Sequence, residues 1–526
     1  MSEHKADVII VGSGLNSLVC AALLAKRGLK PLVLERNAVL GGCIRTEELF
    51  PGFKHELMAS WYPLFLGGGA YARLKDDLAA AGVEFLNNGY TTGVITTDGH
   101  SLALKQDIAD AIQKLDAIAP NDGAVIGQMA TEIFEDNAEL LFGLLGGSPY
   151  QFSTFKLLFK QWRKRGSNQL LHFAANALTP FRSWSQKTLS HALSEALITP
   201  WVLHSGLGPQ DAGSALIGKL TFAAVVAGGM PVVKGGGSQL VQALARIIEQ
   251  HGGRLLTHTE VEKIITAQGK AVGVLAQGQR YDATKAVICN VTPTQLYNQL
   301  LPDTPAPVKA AANNYHYGRG AMQIHLALNA PPEWDNPELL KVPLVHMATD
   351  LNQVSMSVMQ AECGLIPSTP TIAIGQPVAV DPSRAPDGQW ILWLQLQDMP
   401  RQLLGDAAGT ITVTAEGWTD ALREQVADRV IDRLATVLPN LKSSIIGRKV
   451  LSPADLAHLN VNLVEGDIYS GSCSLDQFFW FRPFAKTQQA KGHQTPIKNV
   501  YHIGAATHPG PGLGGGSGLL VADLIK

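Results

Sequence analysis

Apolar and polar positions along this chain follow two periods, and their succession predicts the layout. The run Asp7-Val8-Ile9-Ile10-Val11 reads as a buried strand. It passes directly into Gly12-Ser13-Gly14-Leu15-Asn16-Ser17, after which the apolar residues 18–25 predict a helix. A second strand, residues 31–34, ends in Glu35. Further on, Lys234-Gly235-Gly236-Gly237-Ser238 precedes an amphipathic helix over 239–250, stopped by Gly252-Gly253. Strands are expected at 254–257 and 261–266, in a hairpin running from Ala271 to Tyr281, and at 286–290. At the far end, residues 499–504 read as a buried strand and 519–525 as an apolar helix. Of the intervening chain, 71–227 reads as mostly helical, 323–362 and 389–397 as strands, and 419–438 as helical.

The first unit has the order strand, glycine loop, helix, strand, acid. Gly12 permits the tight turn, Gly14 lets backbone N–H groups approach a pyrophosphate, and the helix N-terminus adds its positive dipole end. Glu35, about 20 positions past the glycines, is placed to accept a ribose hydroxyl. Ser17 stands where the pattern has its third glycine. The unit is therefore read as a dinucleotide site.

A second glycine pair follows the acid, in Gly41-Gly42-Cys43-Ile44-Arg45-Thr46, and Pro51-Gly52-Phe53 comes after it. This continuation resembles the FAD-binding motif of the glutathione-reductase-like flavoproteins, especially the amine oxidase and phytoene desaturase group. The resemblance implies FAD, with Gly41 and Gly42 bringing backbone to the diphosphate and Arg45 adding a charge-assisted contact. Candidate cofactor residues here are Gly12, Ser13, Gly14, Leu15, Asn16, Glu35, Arg36, Gly41, Gly42, Arg45 and Thr46.

At 526 residues the chain exceeds one hydrophobic core, so two lobes are expected. Only 16% of residues are charged and the net charge is −2, which leaves no electrostatic footprint for nucleic acid. The five cysteines are widely spaced without a C-x-x-C, which excludes a redox dithiol, a zinc cluster and a disulfide framework. They favour a reducing, cytoplasmic setting. The apolar stretch 8–25 is interrupted by glycines and Asn16 and is read as fold rather than signal peptide. The most apolar later segment, 216–230, is too short to span a bilayer and holds Lys219. No metal site is expected.

The tail Gly504-Ala505-Ala506-Thr507-His508-Pro509-Gly510-Pro511-Gly512-Leu513-Gly514-Gly515-Gly516-Ser517-Gly518 opens the last helix with backbone N–H groups suited to an anion. With it, the chain resembles the phytoene desaturase-related flavoproteins from end to end, most nearly the pyridine nucleotide-disulphide oxidoreductase domain-containing branch. Further matches are Lys54, Lys234-Gly235-Gly236-Gly237, Ser474-Leu475-Asp476-Gln477 and Phe481-Arg482-Pro483. The resemblance implies an α/β architecture: a discontinuous FAD-binding Rossmann domain (1–70, 230–300 and 485–526) and a sheet-and-helix substrate domain (71–229 and 301–484). It places a backbone group near Val261 by the adenine side, and Gly504, Gly514, Gly515 and Gly516 at the flavin. It also implies hydride removal from a largely apolar small molecule to form a double bond, with oxygen or a quinone as electron acceptor.

The sequence offers no triad, metal cluster or carboxylate pair, in keeping with chemistry that belongs to a flavin. His508 is the catalytic candidate, read equally well as a turn cap. Trp61 and Tyr62 are candidate pocket walls, and Asp476 with Arg482 a candidate structural ion pair. The aromatic and basic stretch 152–165 is read as packing on the core, with peripheral membrane contact as the competing reading. Amine oxidation remains the alternative chemistry, and a structural FAD in a partner-binding protein the alternative class.

Overall fold

In the computed structural model, residues 4–484 and 490–526 are described; part of the third FAD-domain segment expected at 485–526 thus lies outside them. Two seven-stranded sheets organise the described residues. In the first, strand Lys5–Val11 lies between Pro31–Leu34 and the long strand Gln279–Cys289, all parallel, and Arg254–Leu256 extends the parallel side. The tail strand Val500–His502 also pairs in parallel with Gln279–Cys289. That long strand joins two segments expected separately: its first half closes the antiparallel meander Val261–Ala267 and Lys270–Ala276. Three distant stretches of sequence thus share one sheet.

The parallel strands are almost wholly apolar because both faces are covered. The helices Leu15–Lys26, Gly237–Gln250 and Gly516–Leu524 pack on one side, where Leu18, Leu240 and Val521 share a core cluster. Gly518 sits where the last helix meets the first, and a Cβ there would stand 2.0 Å from the Asn16 carbonyl oxygen. Only glycine permits that approach.

The second sheet runs in the order Ile445–Leu451, Gly320–Leu328, Trp390–Met399, Ile372–Gly375, Leu344–Met347, Tyr90–Ile95, Ser101–Lys105. The last two strands correct the helical reading of 71–227: Thr91, Thr92 and Gly93 broke the apolar alternation that would have revealed them. Conversely, Leu351–Glu362, expected as strand, is a helix capped by Asp350, which accepts from Gln353 N at 2.7 Å. One face of this sheet packs on helix Asp420–Leu434 through Leu422, Val426 and Val430. The opposite face looks across an internal space toward helix Ser214–Gly228.

The two halves are tied by a buried ionic cluster. The Arg384 guanidinium, fully buried, donates to Glu56 at 2.7 Å and to Asp381 at 3.0 Å. Both carboxylates also accept backbone N–H groups of the glycine turn, Gly237 on Glu56 and Gly235 on Asp381. One guanidinium serves both carboxylates, and the backbone donors satisfy them further, which makes such burial tolerable.

Candidate functional site

The parallel strands deliver Gly12, Glu35 and Asn290 to their carboxyl ends, where a crevice is expected in open α/β sheets. A continuous cavity of about 1540 Å³ opens there and runs on between the second sheet and helix Ser214–Gly228. Single small-molecule sites occupy roughly 300–1,000 Å³, so this space holds more than one ligand.

At the first end the backbone is crowded by design. Gly14 and Gly41 form a β-bridge, and a Cβ on Gly42 would lie 3.1 Å from Gly14 Cα. Gly41 and Gly42 have φ of +115° and +61°, and a Cβ on Gly41 would meet the Ile44 carbonyl oxygen at 2.4 Å. Two helix N-termini open on this space, that of Leu15–Lys26 at Gly14 and that of Gly516–Leu524 at Gly515. Neither N-cap residue, Gly14 nor Gly515, caps its helix with a side chain, although Gly518 N donates to Asn16 Oδ1 at 3.3 Å, and a helix start of this kind suits an anion. The Glu35 carboxylate accepts from Ser13 N (2.9 Å), Ser13 Oγ (2.7 Å) and Asn37 N (2.9 Å). A carboxylate has about four acceptor sites, which leaves one for a ribose hydroxyl. This glycine cradle with an acid at its rim fits a dinucleotide.

Of the expected cofactor residues, Gly12, Ser13, Gly14, Leu15, Asn16, Glu35, Arg36, Gly41, Gly42, Val261, Gly514, Gly515 and Gly516 line the cavity together. Arg45, Thr46 and Gly504 do not. Arg45 pairs with Glu47, so its charge is spent beside it. Thr46 accepts from Ser238 N at 3.0 Å and donates to Glu56 at 3.0 Å, which fixes the Lys234–Ser238 turn. Gly504 allows the tail past Asn290, whose Oδ1 would be 2.2 Å from a Cβ there.

His508, the catalytic candidate, is not brought to the cavity. It is buried off the cavity wall, its ring edge-on to Phe479 at 5.3 Å, and burial holds it neutral with a pKa of about 3. Trp61 lines the cavity, whereas Tyr62 is turned away, its ring fully buried against Phe85. The expected Asp476–Arg482 pair is absent. Arg482 is buried and donates to the carbonyls of Ala505 (2.8 Å), Ser472 (3.0 Å) and Tyr469 (3.0 Å), tying the tail to the preceding loop. Asp476 is on the surface, beside His316 at 3.5 Å.

Sequence reasoning missed Asn290, Asn460 and Asn462. Asn290 donates to Ser17 Oγ at 3.0 Å, and Asn462 donates to the Asn290 carbonyl at 3.0 Å. Asn290 ends a buried strand, a position that could have marked it, but Asn462 comes from a loop remote in sequence. His204 lines the deeper space, stacked on Trp201 with its Nε2 2.8 Å from His346 Nε2. Burial lowers the His204 pKa to about 4, so it is neutral at physiological pH. The only charged residues lining the cavity, among the described residues, are Glu35, Arg36 and Glu260, all at the nucleotide end. No group of His, Cys, Asp and Glu among the described residues is placed to hold a metal ion.

The family model for flavin containing amine oxidoreductases matches residues 18–525. Pyridine nucleotide-disulfide oxidoreductase domain-containing protein 2 of Rattus norvegicus is 26% identical, over 99% of this chain and 94% of its own length. Phytoene desaturase of Fusarium fujikuroi is 24% identical, over 100% of this chain and 90% of its own. Among solved structures, an oxidoreductase from Methanosarcina mazei superposes with a TM-score of 0.59 at 17% identity, covering 99% of both chains. The chain belongs to the flavin containing amine oxidoreductase family.

Proposed function

We propose that this FAD-dependent oxidoreductase is a dehydrogenase or desaturase that removes two hydrogens from a largely apolar small molecule and leaves a carbon–carbon double bond. The observation that carries this reading is the cavity beyond the nucleotide end. It is walled by Leu216, Ile217, Leu220, Val225, Trp201 and Trp393 and carries no charged side chain there. A site for an ammonium substrate would pay to desolvate that charge without an acid to offset it. The relative named phytoene desaturase supports the same direction.

When bound, FAD supplies the acceptor for a hydride, and dioxygen or a quinone is the expected final acceptor. The chain's own work is to hold and exclude. Gly12, Gly14, Gly41 and Gly42, the two helix N-termini and Glu35 bind the dinucleotide, and the apolar walls keep water from the reacting carbons. Burial makes the His204 imidazole a weak base, in keeping with a reaction that does not depend on a strong side-chain base. Incubating the holoprotein with candidate polyenes and saturated isoprenoids, with a soluble quinone present, should yield products lighter by two hydrogens in mass spectra. Turnover of amines alone, with imine or aldehyde products, would favour amine oxidation instead.

A lipid surface is the proposed source of such a substrate. Contrary to the core-packing expectation, Phe152, Phe155, Phe159 and Trp162 are 73, 54, 58 and 48% exposed. They share helix Phe152–Leu178 with Lys156, Lys160, Arg163 and Lys164, and Gly166 interrupts that helix at φ +77°. Aromatic side chains flanked by cations complement an anionic bilayer surface. Past the Gly166 kink, Phe173, Ala177 and Leu178 line the cavity wall. No helix among the described residues is long and apolar enough to cross a membrane. In flotation assays the protein should rise with phosphatidylglycerol-containing vesicles more than with phosphatidylcholine alone. Phe155→Ser with Phe159→Ser should abolish flotation while FAD content holds. Equal flotation by the double variant would reject this surface.

A further inference from the structure

The second sheet has one face too polar for its position. Along strand Trp390–Met399, Leu392, Leu394 and Leu396 enter the core, while the alternate residues Trp393, Gln395 and Gln397 line the cavity. Gln323 on the neighbouring strand is in register with Gln395 and lines the same space. Gln323 is 1% exposed and its Oε1 has no hydrogen-bond partner, and the Trp61 and Trp393 indole N–H groups are unpartnered as well. Buried polar groups without partners are costly, so one amide oxygen and two indole N–H groups left unpaired along an otherwise largely apolar cavity call for a ligand.

We infer that this glutamine face is a recognition site for an uncharged, oxygen-bearing group, a hydroxyl or carbonyl, carried on the apolar substrate. The inference rests on the apolar-substrate reading above and adds the polar end of that molecule. Amides offer both donors and acceptors without formal charge, which suits a hydroxyl or carbonyl. An ammonium or carboxylate would find no counter-charge, because Glu35, Arg36 and Glu260 are all at the nucleotide end. A pure hydrocarbon would leave the Gln323 oxygen and the two indole N–H groups unpaired, which is how a site built to hydrogen-bond rejects the analogue lacking its polar group.

The test uses the oxidised holoprotein and one branched polyene skeleton carried as the hydrocarbon, its terminal primary alcohol and its terminal ammonium. Binding is read by quenching of tryptophan fluorescence, since Trp61, Trp201 and Trp393 line the cavity. The alcohol should bind at least about tenfold more tightly than the hydrocarbon, the value of one good hydrogen bond. Gln323→Leu and Gln395→Leu should each bring that ratio close to one while FAD remains bound. If Gln323→Leu fails to fold or loses FAD, Gln395→Leu decides: a collapsed ratio supports the inference and a retained ratio overturns it. Hydrocarbon binding with no preference for the alcohol overturns this inference alone. Binding of the ammonium only, or of none of the three, overturns it together with the apolar-substrate reading.

Discussion

Gly515→Val is expected to purify colourless, with its FAD affinity reduced about a thousandfold. Gly515 caps the terminal helix in the left-handed region, at φ +69°. A Cβ there would meet Val19 Cγ2 at 3.0 Å and Ala70 Cβ at 3.1 Å, both fully buried. A β-branched residue in that conformation costs about 1–2 kcal/mol or more, and overpacking a filled core adds about 1–3 kcal/mol. The helix start would be displaced, and with it the N–H groups that face the cavity. Together these amount to about 4 kcal/mol, near the thousandfold loss stated. Lys526→Ala, at the exposed last residue, should stay fully yellow. Stoichiometric FAD in Gly515→Val with an unchanged reduction potential would show that the tail does not cradle the flavin.

The second large effect is acid sensitivity well above the carboxylate range. Burial holds His55 and His508 near a pKa of about 3, and His204, His325, His493 and His502 near about 4; His346 is also lowered. In the unfolded chain each returns to about 6.5. Between these values the unfolded state binds more protons, so the stabilisation is complete above pH 6.5 and is lost as pH falls toward 4 and 3. Each such group loses about 1.4 kcal/mol between pH 7.5 and 5.5, so seven of them would lose on the order of 10 kcal/mol. Urea midpoints across that window give the value. A flat profile would mean that these imidazoles are solvated in the native protein.

What could be read from the sequence was whatever the chain writes locally. Gly12, Gly14 and Glu35 lie within 24 residues of one another and mark a strand, a turn and a second strand in order. The glycine tail likewise stands beside its own helix. Motif position does not say which neighbour claims a side chain: Glu47 takes Arg45, Ser238 and Glu56 take Thr46, and Phe479 packs on His508. The glutamine face needs Gln323 in register with Gln395, a pairing across more than 70 residues that no periodicity reveals. The exposed aromatics of Phe152–Leu178 share their spacing with a core-packing helix, so only the fold separates the two.

One FAD, held by three distant segments, is proposed to take hydride from an apolar substrate and not from a nicotinamide. Among the described residues one sheet carries parallel strands of the dinucleotide-binding kind, and their carboxyl ends are occupied by the glycine cradle. Anaerobic mixing of the holoprotein with substrate, followed through the flavin absorbance bands, tests the claim most directly. The expected result is bleaching by about one equivalent of an apolar polyene or its alcohol, with NADH or NADPH alone leaving the flavin oxidised on the same timescale. Rapid bleaching by NADH or NADPH without substrate, or a flavin reduced by amines and by no polyene, would contradict it.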